Sequence, residues 1–352
     1  ATSCRTAVNF MTNDMRSHDP EAGRAELSAF AVGFASGAPQ LVARELVADT
    51  QTPVSAYLKL AADQKHSFLL ESVEGGEVRG RFSVIGLAPD LIWRCHGEKA
   101  EINRNPAAGD DFETVDLPPL ASLRAVQAES AMPDTGTLPP MAAGLFGYFG
   151  YDMIRHIETI PNNNPASLNA PDSDLLRPSL IAIFDRLRDS ITLVTQIRPA
   201  EWGDAESAWE TAQTRLNNAV KALDAPLLPT EVGRIDAPIP TPTSNMSQSN
   251  FLDMVRRAKE YIAAGDIFQV VLSQRFTIPF ELPAFNLYRS LRRLNPSPFL
   301  FFFKFDGLSV VGSSPEILVR LRQKIVTIRP IAGTRKRGAT PDEDAANAAS
   351  LM

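Results

Sequence analysis

The sequence has 352 residues, 44% hydrophobic and 22% charged, with 27 prolines, which is the profile of a globular chain long enough for one large domain or two ordinary ones. Its 35 Lys and Arg against 41 Asp and Glu give a formal net charge of −6, so no dominant cationic field exists to hold nucleic acid or anionic lipid. Two cysteines, Cys4 and Cys95, and four histidines offer neither metal-finger spacing nor a disulfide framework, and suit a reducing compartment.

The longest apolar run, residues 299–303, is far too short to span a bilayer. The apolar stretch 29–38 follows Glu21 and Glu26 rather than a basic segment, which argues against a signal peptide and makes a cytoplasmic protein the default expectation. The chain begins without Met, with Met11 and Met15 as plausible starts, and stops at Met352 inside a segment that reads as the opening of a helix. A fragment of a longer protein is therefore expected.

Residues 1–45 are polar and weakly patterned, with one short helix expected around 25–34. A first domain is expected over 46–200. Within it, short apolar segments separated by Gly, Pro and Asp predict strands at 67–73, 82–85, 91–94, 145–149 and 180–184, and helical signal is sparse. Residues 205–223 predict an amphipathic helix with Asp204 as N-cap. Helix and Pro-rich connector together, 201–247, mark a boundary. Beyond it, Ser249 is a candidate cap for a helix carrying Met254, Val255, Ala258 and Ile262 and closed by Gly265. A strand is expected at 267–276, then a meander at 299–305, 308–311, 317–321 and 325–329, with Asp306-Gly307 as a hairpin turn. The class is α+β, with largely antiparallel sheets packed as a β-sandwich with surrounding helices.

Four segments are candidates for chemistry. Residues 330–338 (PIAGTRKRG) combine two glycines, a hydroxyl and three cations. That composition suits either a carboxylate-binding loop or a basic surface turn. In 68–73 (FLLESV), strand alternation puts Glu71 on the face of Leu69 and Val73; if buried, its carboxylate needs a ligand ammonium or an arginine. Residues 295–300 (NPSPFL) form a rigid turn feeding an apolar strand, which serves a pocket wall or simply starts a core strand. In 264–275, alternation sets Gln269, Ser273 and Arg275 against Phe268, Val270 and Leu272. His156 enters no recognisable triad, and Gly144, Gly147 and Gly150 lack a phosphate-loop context.

In this order the segments resemble the chorismate-utilising enzymes, and among them the large subunit of anthranilate synthase. The resemblance rests on 53–60 (PVSAYLKL), 67–73 (SFLLESV), 80–86 (GRFSVIG), 144–152 (GLFGYFGYD), 261–276 (YIAAGDIFQVVLSQRF), 295–301 (NPSPFLF), 312–318 (GSSPEIL) and 330–338 (PIAGTRKRG). It implies that 248–352 opens the chorismate-binding domain, with Gly333 and Thr334 as contacts to chorismate.

Family members that add water or a protein nucleophile carry lysine where this chain has Ala332. A methyl group is no nucleophile, so the resemblance implies ammonia as the attacking group, then loss of pyruvate to leave anthranilate. It further implies feedback inhibition by L-tryptophan at Glu71, Ser72, Pro298, Phe299 and Leu300, and a glutamine amidotransferase subunit as partner. Phe299-Leu300 replaces a frequent Tyr-Met pair, keeping the apolar wall without the phenol. Mg²⁺ is the implied cofactor, and its ligands and the catalytic residues are expected downstream of Met352, so the 352-residue chain is expected to be inactive alone. The alternatives are another chorismate enzyme, aminodeoxychorismate or isochorismate synthase, or a non-catalytic tryptophan-binding fragment.

Overall fold

A computed structural model describes residues 20–72, 80–132, 138–163, 168–227, 240–330 and 333–351. In chain order the elements are α1 (Pro20–Ala35), β1 (Gln40–Val47), α2 (Pro53–Leu60), β2 (Ser67–Glu71), β3 (Phe82–His96), β4 (Lys99–Asn103), β5 (Glu113–Val115), α3 (Pro119–Glu129), β6 (Phe146–Phe149), β7 (Ser173–Asp185) and β8 (Ser190–Ile197). There follow α4 (Ala205–Asp224), β9 (Thr243–Ser244), α5 (Gln248–Ala264), β10 (Phe276–Thr277), α6 (Ala284–Leu294), β11 (Phe299–Phe305), β12 (Leu308–Ser314), β13 (Arg320–Arg322), β14 (Ile325–Thr327) and α7 (Pro341–Ala349). The chain divides into two compact units, one formed by 1–227 with 288–352 and the other by 228–287.

The first unit is organised by a ten-stranded antiparallel sheet in the order β1-β8-β7-β3-β2-β11-β12, with β4 paired to β3, β5 to β4 and β6 to β7. The long strands β3 and β7 run through both halves. Along β3, the early residues pair with β2 and the later ones, beyond the register shift between Pro89 and Leu91, with β4. A bulge of this kind bends a strand and raises its twist, so the two halves face one another. Phe146 of β6 stacks on Phe68 of β2 at 4.6 Å, and Tyr148 meets Phe305 of β11 at 5.6 Å. Ile92 and Leu176 from one half share a core with Val84, Ile181, Ile183, Val194 and Phe303 from the other. The α+β class with face-to-face antiparallel sheet holds.

A second core lies around Trp93, Leu91, Ile102 and Met153, covered by Val126 of α3. The Trp93 indole donates to Ser122 Oγ of that helix at 3.0 Å. Both α2 and α3 fall where helical signal was expected to be sparse. At eight and eleven residues they are too short to show a long apolar repeat, and local capping and packing hold them instead. Thr52 and Ser55 form a capping box, Pro53 opens α2, and Ala56, Tyr57 and Leu60 are buried.

Other expectations meet the structure unevenly. Helix α4 is capped by Asp204, whose carboxylate accepts from Ser207 N, as expected from the sequence. The strands expected at 82–85 and 91–94 are one continuous strand. Residues 317–321 and 325–329 do not extend the β11–β12 ladder; they supply the separate hairpin β13–β14, turned by Gln323 and Lys324 at φ of 48° and 65°. In the second unit, α5 is capped by Ser247 rather than Ser249 and ends at Gly265 in the left-handed region, φ 83°. The strand expected at 267–276 shrinks to Phe276–Thr277 paired with Thr243–Ser244. Alternation alone does not make a strand without a ladder partner, and Phe268 and Val271 stand exposed. No helix among the described residues is long and apolar enough to cross a membrane.

Candidate functional site

Strand β2 pairs with β3 on one side and β11 on the other, and its alternation fixes what Glu71 faces. Ser67, Leu69 and Glu71 share a face with Lys304, Phe302 and Leu300, their direct partners on β11. Helices α2 and α6 cover that face. Tyr57 and Tyr288 each pack on Phe302, at 5.5 and 5.9 Å between ring centroids, and Tyr57 Oη lies 2.8 Å from Ser67 Oγ.

Glu71 thus ends its strand under α6, with its carboxylate fully removed from solvent. A buried charge requires compensation. Arg292 supplies two hydrogen bonds, Nε to Oε2 at 2.7 Å and Nη2 to Oε1 at 3.1 Å; the Tyr288 hydroxyl donates to Oε2 at 2.6 Å; and Arg186 Nη2 reaches Oε1 at 3.4 Å. Burial and the neighbouring carboxylate push the Tyr288 phenol far above its ordinary value, so it stays protonated and donates. Of the readings that the sequence leaves open for Glu71, the arginine partner is present.

The structure brings together Glu71 and Leu300 as cross-strand partners, with Ser72 following Glu71 and Pro298-Phe299 preceding Leu300 along the chain. Leu300 is buried, whereas Phe299, on the opposite face of β11, is 42% exposed. The entry to β11 is pinned by Ser297 Oγ donating to the Ser314 carbonyl and by Ser313 Oγ donating to the Asn295 carbonyl at 2.8 Å.

Gly333 and Thr334 lie elsewhere, in an exposed loop held against α7. Arg335 Nε donates to Ser350 Oγ at 3.2 Å, Asn347 Nδ2 to the Lys336 carbonyl at 3.1 Å, and Gly338 N to Asp344 Oδ1 at 2.9 Å. Arg337 pairs with Asp344 at 2.7 Å, so two of the three cations are already engaged, Arg335 by hydrogen bonds and Arg337 by an ion pair. Ala332 lies outside the described residues, as do Val73 and Met352.

Sequence reasoning missed Tyr288, Arg292 and Arg186. Tyr288 and Arg292 stand four apart on α6, on one helical face, and that spacing was the available signal. Arg186, in the β7–β8 turn, carried none. His156 Nε2 approaches Cys95 Sγ at 3.6 Å and its Nδ1 lies 3.9 Å from Glu98. The thiol is nevertheless pushed up to about 11 by burial, Asp172 and Glu98, which makes it a poor nucleophile. Among the described residues no group of three or more His, Cys, Asp or Glu could hold a metal ion. No Mg²⁺ ligand set is therefore assigned among the described residues.

Comparison with known proteins gives this geometry its context. The family of chorismate binding enzymes matches residues 65–352. Anthranilate synthase component 1 of Cereibacter sphaeroides is 50% identical over 326 residues, covering 92% of this chain and 65% of that protein. The Pseudomonas putida protein of the same name is 41% identical, covering 87% of this chain and 62% of that protein. The chain thus spans a little under two thirds of the length of these relatives. Anthranilate synthase component I of Streptococcus pneumoniae superposes with a TM-score of 0.64 at 27% identity, over 87% of this chain and 63% of that one. The menaquinone-specific isochorismate synthase of Escherichia coli, at 13% identity and a TM-score of 0.51 over 94% of this chain and 64% of that one, shares the fold. With a family match over most of its length and the sheet architecture of a solved member, this chain belongs to the chorismate binding enzymes.

Proposed function

We propose that this chain belongs to an anthranilate synthase component I. In this reading it converts chorismate and ammonia to anthranilate and pyruvate, in the cytoplasm, as an early step toward tryptophan. The observation that carries it is the 50% identity, sustained over 326 residues, to a protein named anthranilate synthase component 1. Ala332 agrees with it, because a methyl side chain leaves the attack on the ring to a free amine. Gly333 and Thr334 contact the substrate through a backbone N–H and a hydroxyl. Ammonia comes from a glutamine amidotransferase subunit, and the cofactor of this reading is Mg²⁺, for which the described residues supply no ligand cluster.

L-Tryptophan acts as the feedback effector, its ammonium drawn to Glu71 and Ser72 and its indole against Pro298, Phe299 and Leu300. The burial of Leu300 beside Glu71 supports this part of the reading, since it puts an apolar wall next to a carboxylate.

The test is a fluorescence assay for anthranilate, using a protein of the relatives' full length with chorismate, ammonium and Mg²⁺. Anthranilate release is expected, with none from the 352-residue chain alone. Accumulation of aminodeoxychorismate or isochorismate in its place would overturn the assignment.

A further inference from the structure

Every acceptor position on Glu71 is taken. An ionised carboxylate offers about four lone-pair sites, and Tyr288, the two Arg292 nitrogens and Arg186 fill them. The side chain has no solvent access. An incoming ammonium group has nowhere to bind unless one donor leaves.

The four donors are unequal. Arg292 holds both oxygens at once and Tyr288 makes the shortest bond, whereas Arg186 makes a single contact at 3.4 Å. Its side chain is 37% exposed, against 27% for Arg292. We infer that Arg186 is a displaceable plug on Glu71, and that an ammonium-bearing effector binds by taking its place at Oε1. This role presupposes the effector site proposed above and adds to it the residue that sets its affinity.

Charge and space both fit the exchange. Glu71, Arg186 and Arg292 together carry one net positive charge, which opposes an ammonium; with Arg186 turned away, the remaining pair is neutral. Arg186 and Arg292 line a cleft of about 250 Å³ that also contains Gln51, Thr52, Asp185 and Asp189. Asp185 is engaged by Arg81 through two hydrogen bonds. Asp189, exposed at the far end of the same turn, provides a carboxylate for the displaced guanidinium. The backbone need not move, since Arg186 N stays bonded to the Arg81 carbonyl at 3.0 Å. Glu71 keeps Arg292 throughout, so the exchange never leaves a buried charge unpaired.

The experiment is calorimetric titration of L-tryptophan into the 352-residue chain, unaltered and as Arg186→Gln, Arg186→Lys and Asp189→Asn. Arg186→Gln should tighten binding about fivefold, the scale of one partly exposed charge, and Arg186→Lys should change it less than that. Asp189→Asn removes the acceptor for the displaced arginine and should weaken binding. Asparagine tolerates the left-handed backbone at this position, φ 47°, so that variant reports even if Arg186→Gln unfolds. Heat from the unaltered chain with unchanged or weaker binding in Arg186→Gln would overturn the plug while leaving the effector site standing. With Arg186→Gln unfolded, unchanged affinity in Asp189→Asn does the same. No heat from any of the folded chains removes the effector site, and the plug with it.

Discussion

Arg292 grips Glu71 through two parallel hydrogen bonds, Nε to Oε2 at 2.7 Å and Nη2 to Oε1 at 3.1 Å. The pair ties α6 to the end of β2, and the carboxylate it neutralises is completely buried. Arg292→Ala leaves that charge with only Tyr288 and the looser Arg186, and should lower stability by about 3 kcal/mol. Tyr288→Phe removes one donor and should cost about 1–2 kcal/mol. Urea unfolding at neutral pH reads both. Equal midpoints for Arg292→Ala and the unaltered chain would show that α6 docks without the ion pair.

The sequence made some of this legible. Alternation through Leu69 and Glu71 placed the carboxylate on the correct face, because a strand's period of two is rigid once one face is buried. The Asp306-Gly307 turn, the cap at Asp204 and the stop at Gly265 were readable for similar reasons, each being set by local backbone chemistry. Tyr288, Arg292 and Arg186 were not found: the four-residue spacing of Tyr288 and Arg292 marks a shared helical face, but their role depends on β2, α6 and the β7–β8 turn converging, which no local pattern records. The failed strand at 267–275 is the converse case. Its alternation is clear, but pairing is a property of two segments, and only Phe276–Thr277 has a partner.

Asp174 offers a pH-dependent test. It is almost fully buried; Arg94 Nε donates to its Oδ2 at 2.7 Å, and its Oδ1 has no partner. Burial, opposed by Arg94, pushes its carboxyl up to about 6 from the ordinary 3.8. A raised value means that folding favours the protonated form: the contribution is fully present below about 4 and is lost as pH rises through about 6. The shift corresponds to about 3 kcal/mol. Asp174→Asn keeps an oxygen for Arg94 and removes the titration. Thermal melts from pH 4 to pH 7.5 should therefore show the variant gaining on the unaltered chain as pH rises. A constant difference across that range would contradict the assignment.

His66 should act in the opposite direction. Its ring is buried and neither nitrogen has a hydrogen-bond partner. Burial and then Arg94 lower its value below the ordinary 6.5, against the weaker pull of Asp306 and Asp110, with Lys65 adding to the lowering. A lowered value gives stability that is present above 6.5 and lost as pH falls through the folded-state value. His66→Phe matches the ring in shape and sacrifices no hydrogen bond. It should be close to neutral at pH 8 and should remove part of the loss on going to pH 5, as read by chemical unfolding at both values. A variant that loses stability on acidification as steeply as the unaltered chain would rule out this histidine as the cause.

Gly147 has a mechanical role that its sequence context did not disclose. It lies in β6 opposite Leu175 of β7, and a Cβ built there would stand 1.9 Å from the Asp174 carbonyl oxygen and 2.9 Å from Leu175 Cα. Both obstacles are backbone atoms in a paired strand, so no side-chain rotation relieves them. Gly147→Ala must push β6 away from β7, and with it Phe146 from its stack on Phe68. We expect a loss of about 3 kcal/mol or more, toward the upper end for overpacking. Gly203→Ala is the matched control, because nothing lies within 4 Å of its added Cβ. There, restricting the unfolded chain should leave stability unchanged or raise it by about 0.5 kcal/mol. If the two variants unfold at the same urea concentration, the close approach of β6 to β7 is not what the glycine secures.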